Sequence, residues 1–365
     1  MSALDTSDFA VASVSPAQRD EPLPWSAPAE GFFKVVVASD AWRPQVNGVV
    51  RTLEGLIAEA PGLGADIEVL GPDRFPSIPM PGYPDIQLAF PSARTIDSAI
   101  TAVRPSAIHI ATEGPVGFMV RRHCLRRGWP FTTCYHTRFP EYLAARAPIP
   151  LAWSYGAIRR FHAPAVATMA ATPALASELA SHGFDRLALW RRGVDVSLFA
   201  GGRPGVLDLP RPIFLCVARL AVEKTIDAFL ALELPGSKVV VGDGPARNDL
   251  QARFPQAHFL GLLSGQALAD VYASADAFVF PSRTDTFGLV MLEALAAGTP
   301  VAAFPVTGPR DVLGDSGCGV LSENLAEAAM QALNIPRERC RAYARGATMA
   351  ESCRSFLEIV RRAAL

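Results

Sequence analysis

The stretch "PSRTDTFGLVMLEALAAGTP", Pro281 to Pro300, follows the apolar run "AFVF" and decides the fold. Four consecutive apolar residues followed by a polar loop predict a strand buried on both faces. The pattern that follows predicts a helix from Phe287 to Ala297, closed by Gly298 as a left-handed C-terminal cap. A buried strand feeding directly into a helix is the unit of a parallel, doubly wound sheet. One residue in that helix is out of place. Glu293 has Leu289 and Val290 one turn before it and Ala296 and Ala297 one turn after it, and these are its neighbours on a helix surface. A carboxylate in apolar surroundings is costly unless something pairs with it.

The same alternation extends in both directions. "FKVVVAS", "DIEVL", "AIHIA", "FTTCY" and "VATMAAT" read as strands, with helices such as 48–60 and 115–127 between them. A stretch rich in Gly and Pro, Ser197 to Pro212, interrupts the pattern and reads as a linker. A second series follows: "IFLCVA", "KVVVG", "AHFLG", "AFVFPS" and "VAAF". The expectation is an α/β protein of two doubly wound, Rossmann-like domains facing across a cleft. Residues 1–30 form a disordered lead-in, 31–200 the first domain, 201–211 the linker and 212–365 the second domain with a terminal helix. The last helical pattern, from about Met349, carries no signal for where it packs.

Composition narrows the function classes. The chain has 365 residues, half of them hydrophobic and 19% charged, with a net charge of -1. Nothing there points to nucleic acid. No apolar run approaches the ~20 residues of a membrane span, and the N-terminus lacks a basic start followed by an apolar block, so no signal peptide is read. Cys124, Cys134, Cys216, Cys318, Cys340 and Cys353 contain no CxxC pair, and reduced thiols in a cytoplasmic protein are expected. No HxxxH, CxxC or Asp-x-Asp cluster suggests a metal, and no GxGxxG supports a dinucleotide role.

Ligands of open α/β sheets bind at the carboxyl ends of the strands, so the loops there are the candidates. At the start of the opening helix the backbone N–H groups of Phe287, Gly288, Leu289 and Val290 are expected to form an anion site. Asp285 lies before that turn and Glu293 about 12 Å further on if the segment is helical. An extended ligand with an anion between two hydroxyl-bearing ends fits this layout, as in a nucleoside diphosphate sugar. The bland alternative makes Asp285 a helix cap and Glu293 an exposed residue.

These residues carry a resemblance. "SRTDTFGLVMLEALAAGTPV" resembles the Glu-x7-Glu signature of the retaining glycosyltransferases of family 4, which have the GT-B fold. "VARLAVEK" (Val217–Lys224), "VVVGDGP" (Val239–Pro245), "SDAWRPQVNGVVRTL" (Ser39–Leu53) and "YHTRFPEY" (Tyr135–Tyr142) continue it in the family's order. The resemblance implies that Glu293 holds the donor ribose, and that Asp285 stands where many relatives carry Glu, one methylene shorter. It implies that Arg219 and Lys224 neutralise the diphosphate as it leaves, and that His136 hydrogen-bonds the transferred sugar. Gly48 permits close approach of phosphate or sugar. "GDGP" reads as a tight turn supporting the donor loop. The cations Arg219 and Lys224 are flanked by Leu220 and Val222, which speaks against free surface charge.

The implied reaction is transfer of a hexose from UDP-glucose, UDP-glucuronate or GDP-mannose to an acceptor hydroxyl, without a cofactor or metal. The acceptor is expected to be a membrane lipid such as diacylglycerol, because the first motif looks like that of bacterial glycolipid-forming enzymes. Arg121, Arg122, Arg126 and Arg127, with Trp129 beyond them, are expected to dock the protein on an anionic membrane, at the inner face of the cytoplasmic membrane. The alternatives are polysaccharide or lipopolysaccharide synthesis, and a nucleotide-sugar 2-epimerase of the same fold.

Overall fold

The computed structural model describes residues 32–80, 83–144 and 150–364, so the expected lead-in at 1–30 lies outside the described residues. The described chain divides into two compact units. The first runs up to Arg191 and also includes the residues from Ala350 onward. The second is Arg192–Met349.

The first unit holds a six-stranded parallel sheet in the order β2-β1-β5-β6-β7-β8. Its strands are β1 (Phe33–Ala38), β2 (Ala65–Leu70), β5 (Ala107–Ile110), β6 (Thr132–Cys134), β7 (Ala167–Ala170) and β8 (Leu187–Leu189). An antiparallel pair, β3 (Ser77–Met80) and β4 (Tyr83–Ala89), stands apart from it. Strand periodicity sends alternate residues to opposite faces. Val35 and Val37 enter a core with Leu53, Leu56 and Trp190, while Val36 and Ala38 enter another with Ile96, Ile110 and Val120. The sheet is therefore covered on both sides, which is why its strands read as continuous apolar runs.

The second unit repeats the plan in the order β11-β10-β9-β12-β13-β14. Its strands are β9 (Ile213–Val217), β10 (Ser237–Val241), β11 (His258–Gly261), β12 (Ala277–Phe280), β13 (Val301–Ala303) and β14 (Gly319–Leu321). Ile213, Leu215 and Val217 face one core and Phe214 and Cys216 the other.

Two boundaries differ from the expectation. The units divide at Arg191/Arg192, and the Gly- and Pro-rich stretch lies inside the second unit. Its backbone is tied down there: Asp270 accepts from the Arg203 N–H (2.9 Å) and Ser274 Oγ from the Val206 N–H (3.1 Å). Gly202 lies so close to Ala269 that a Cβ would fall 2.4 Å from its carbonyl oxygen. Gly and Pro mark the absence of regular structure, and that is not the same as freedom to hinge. The second difference is the C-terminal helix, Met349–Ala364. It belongs to the first unit, where Cys353, Phe356, Leu357, Ile359 and Val360 join the core of Val35, Val37 and Leu56. Its apolar stripe at spacings of three and four is an ordinary amphipathic face, which any complementary surface could have covered.

Candidate active site

In a doubly wound sheet the ligand crevice lies where the strand order reverses, outside the carboxyl ends. In the second unit that point is between β9 and β12. The loop after β9 carries Arg219 and Lys224, and the loop after β12 carries Asp285. The two loops are clamped together. Thr225 Oγ1 donates to the Pro281 carbonyl (2.6 Å) and Thr284 Oγ1 to the Glu223 carbonyl (3.2 Å). Between these clamps Lys224 Nζ makes an ion pair with Asp285 Oδ1, and the two side chains are only 20% and 18% exposed. Neither is a freely solvated charge. Arg219, two residues beyond β9, is half-buried. One supporting expectation fails: Leu220 is fully buried, but Val222 is 85% exposed and shields nothing.

The GDGP turn props this loop from behind. The Leu220 N–H donates to the Asp243 carbonyl and the Ala246 N–H to the Leu220 carbonyl, each at 2.9 Å. Gly242 and Gly244 have φ of 139° and 155°, and a Cβ on them would meet Ala218 and Leu220 oxygens at 1.9 and 2.5 Å. Only glycine admits that approach.

The helix after β12 runs Leu289–Ala296, two residues shorter at its start than the sequence suggests. Gly288 is its N-cap at φ 87°, with no side-chain capping hydrogen bond. A Cβ there would also lie 2.8 Å from Met291 Cε. The first-turn N–H groups begin at Leu289 and Val290, so Phe287 lies in the loop before them. The Met291 N–H donates to the Gly288 carbonyl at 3.0 Å. Gly298 takes the left-handed conformation (φ 84°) just beyond the helix, as expected.

Glu293 is 4% exposed. Its Oε2 accepts from the Tyr272 hydroxyl at 2.9 Å, so the chain itself supplies one partner for the out-of-place carboxylate. Tyr272 sits on the preceding helix, 21 residues earlier. Nothing in a single sequence links those two positions.

In the first unit, sequence-predicted residues follow β1, β5 and β6. Gly48 opens the Gly48–Glu59 helix, but Asn47 at its N-cap already accepts from the Val49 and Val50 N–H groups (3.0 Å each). His136 lies two residues beyond β6 with Nε2 buried, its ring edge-on to Trp190 at 6.0 Å between centroids. The loop it occupies is anchored by Arg138, which forms a two-pronged pair with Glu178 (2.6 Å on each prong). Tyr155 donates to Glu141 (2.6 Å) beside that pair.

Sequence reading passed over Asp40, although it lies in a quoted motif. Its Oδ1 accepts from the Val116 N–H (2.7 Å) and its Oδ2 from the Gly117 N–H (3.1 Å) and the Thr112 hydroxyl (2.9 Å). Burial raises its pKa above the ordinary value, and those three hydrogen bonds offset only part of the rise.

The four arginines of the Pro115–Arg127 helix separate. Arg121 donates to the Phe161 and Arg160 carbonyls (2.7 and 2.9 Å), and Arg127 pairs with Asp97 (2.6 Å). Trp129 is in the core, so the expectation of an interfacial tryptophan is wrong. Its indole packs into the core that holds Val36, Ile110 and Val120, where more area is removed from water. Arg122 and Arg126 are exposed, on a face shared with Phe118 and Leu125. Among the described residues no helix is long and apolar enough to cross a membrane.

Comparison with known proteins gives these features a family. A model described as "Glycosyl transferases group 1" matches residues 211–335, and one described as "Glycosyltransferase Family 4" matches residues 46–198. A GDP-mannose-dependent alpha-mannosyltransferase of Mycobacterium tuberculosis (strain CDC 1551 / Oshkosh) is 32% identical over 318 residues, covering 79% of this chain and 83% of that one. An alpha-monoglucosyldiacylglycerol synthase of Streptococcus pneumoniae is 23% identical over 351 residues, covering 82% and 78%. Among solved structures, sucrose-phosphate synthase of Thermosynechococcus elongatus matches with a TM-score of 0.73 at 17% identity, covering 90% of this chain and 98% of that one. That likeness concerns the fold, which is GT-B. Both units are matched, and the mannosyltransferase is similar over most of its own length: the chain belongs to the group 1 glycosyltransferases, enzymes of GT-B fold that use nucleotide sugars.

Proposed function

We propose that this enzyme moves a hexose to a membrane-lipid hydroxyl, such as that of diacylglycerol, with retention at the anomeric carbon. The second unit takes the donor and the first the acceptor. The observation that carries the donor half is the clamped pair of loops holding Arg219, Lys224 and Asp285 at the β9/β12 switch point. Arg219, Lys224 and the N-terminus of the Leu289–Ala296 helix supply the positive charge that the departing diphosphate needs, and this stabilisation grows as the bond breaks. The released phosphate oxygen takes the proton of the acceptor hydroxyl on the same face of the sugar. Glu293 holds the ribose hydroxyls through the carboxylate that Tyr272 orients, and His136 contacts the transferred sugar.

Nucleotide release measured with a lipid extract across UDP-glucose, UDP-galactose, UDP-glucuronate and GDP-mannose tests the donor. Proton spectra of the product test the stereochemistry. A product of inverted configuration sinks the retaining reading. Consumption of the donor sugar with no acceptor present points to the epimerase.

Glu293→Ala is expected to weaken nucleoside diphosphate binding by about 10- to 150-fold, from charged hydrogen bonds worth roughly 1.5–3 kcal/mol each. Because the residue is buried and bonded to Tyr272, the change also costs stability. Tyr272→Phe is the control, since it removes the internal bond and keeps the carboxylate. Equal affinity of Glu293→Ala and wild type in a calorimetric titration removes the ribose role.

The lipid half rests on the helix face that carries Arg122 and Arg126 beside Phe118 and Leu125, exposed by 50% and 46%. Exposed apolar side chains between cations suit an anionic bilayer surface. Each basic residue contributes about 1 kcal/mol there and is screened by salt. Changing Arg122 and Arg126 to Gln is expected to lower co-sedimentation with anionic vesicles by about 10- to 30-fold at low salt. Arg121 and Arg127 are left unchanged, because their guanidinium groups are engaged with the Phe161 and Arg160 carbonyls and with Asp97. Unchanged sedimentation removes this face from membrane docking.

A further inference from the structure

The two units treat the same topological position in opposite ways. In the second, the β9/β12 switch point carries two cations and a helix start capped only by glycine. In the first, the order reverses between β1 and β5, and the Pro115–Arg127 helix begins there. Its Val116 and Gly117 N–H groups, with the Thr112 hydroxyl, make a three-donor anion site. Asp40 fills it with its own carboxylate, all three donors lying within 3.1 Å.

The fit is built by glycine. A Cβ on Gly114 would lie 2.4 Å from Asp40 Cγ, and one on Gly117 would lie 1.9 Å from the Thr112 carbonyl oxygen. Neighbouring helix starts on this edge are closed from within as well. Asn47 caps the helix after β1. Thr172 Oγ1, at 3.1 Å from the Leu175 N–H, caps the helix after β7. Glu113, beside Asp40's helix, points its carboxylate at the buried His162 (3.1 Å). Of the cations on these loops, Arg43 pairs with Glu54 (2.8 Å) and Arg138 with Glu178 (2.6 Å), while Arg51 lies in the first turns of the Gly48–Glu59 helix.

On the reading that the first unit takes the acceptor, we infer that Asp40 is a specificity-determining residue. By occupying the unit's own anion site it restricts the acceptor's reacting end to an uncharged, hydroxyl-bearing group and turns away one bearing phosphate. A phosphate here would find its donors taken and a carboxylate in its place.

The test is a calorimetric titration of inorganic phosphate into protein saturated with whichever of UDP or GDP it binds. The donor site is then occupied, and no turnover is needed. Wild type is expected to show no further phosphate site. Asp40→Ala frees the three donors and is expected to bind phosphate at least about tenfold more tightly than wild type. Asp40→Ser, whose shorter side chain cannot reach all three donors, serves if the alanine variant does not fold, with the same direction of change. Phosphate bound equally by wild type and a folded variant, or by neither, overturns the inference.

A second arm compares transfer within matched pairs, diacylglycerol against phosphatidylinositol and glucose against glucose 6-phosphate. Wild type is expected to favour the uncharged member by about tenfold or more, and Asp40→Asn to narrow that ratio with donor KM unchanged. Preference for the phosphate-bearing member overturns the inference. Which pair is active speaks only to whether the acceptor is a lipid.

Discussion

A chain ending at Met349 is expected to lose the fold of its first unit. The removed helix buries Cys353, Phe356, Leu357 and Val360 at 0–1% exposure against Val35, Val37, Leu53 and Leu56 of the sheet and its first helix. It also accepts the Trp190 indole N–H through the Ser352 carbonyl (3.0 Å) and caps Leu63 through Arg361 (3.1 Å). Truncating one buried Phe to Ala costs about 3–5 kcal/mol, against about 5–15 kcal/mol for a whole domain. Phe356→Ala alone therefore consumes a large share of the first unit's stability, and loss of the helix exceeds it. Urea unfolding followed by tryptophan fluorescence and circular dichroism checks both. The truncated chain should keep one cooperative transition, from the second unit, because that unit's core does not use the helix. Two unaltered transitions in the truncated protein, or an unchanged midpoint for Phe356→Ala, would show that the helix is dispensable.

Lys224→Ala is expected to lower kcat by about 10²- to 10³-fold, the usual effect of removing one fixed donor to developing negative charge. Donor KM should change less, because the interaction strengthens only as the diphosphate departs. The ion pair with Asp285 adds a second term. Without Lys224 the carboxylate faces the diphosphate unneutralised, so part of the loss is repulsion. Lys224→Ala combined with Asp285→Asn should therefore recover some of the binding and little of the turnover, and the two changes should not add. Arg219→Ala should follow the same direction. Steady-state kinetics with the preferred donor decide it: intact turnover with only a raised KM would mean that these cations hold the ground state and do no more.

The chemistry of the second unit was more legible than that of the first. Arg219, Lys224, Asp285 and Glu293 lie within two short stretches, each at the carboxyl end of a run that could only be a buried strand. Local pattern singled out Asp285 and Glu293 without any knowledge of pairing, and the family resemblance added Arg219 and Lys224. Asp40 escaped notice because its partners, Thr112, Val116 and Gly117, are more than 70 residues away along the chain. An Asp after a strand looks like any turn residue until the helix it caps is known. The arginines of the Pro115–Arg127 helix show the same limit in reverse. Their spacing described one basic face, but Arg121 and Arg127 turn to carbonyl and carboxylate partners on other elements. Helical periodicity says which side chains are neighbours, and it does not say which of them are engaged by other elements.

By itself the sequence determined the ten strands it spelled in apolar runs, the helix cap at Gly298, and the doubly wound class, because these follow from backbone period and local sterics. Tertiary structure alone decided that the C-terminal helix completes the first unit, that the Gly- and Pro-rich stretch is bound to the second, and that Glu293 meets Tyr272. It also decided that one switch point displays cations while the other is filled by Asp40. Each of these is a choice among complementary surfaces or partners far apart in the chain. Such choices are settled by which packing buries the most apolar area while leaving no polar group unpaired, a condition on the whole fold that no local pattern carries.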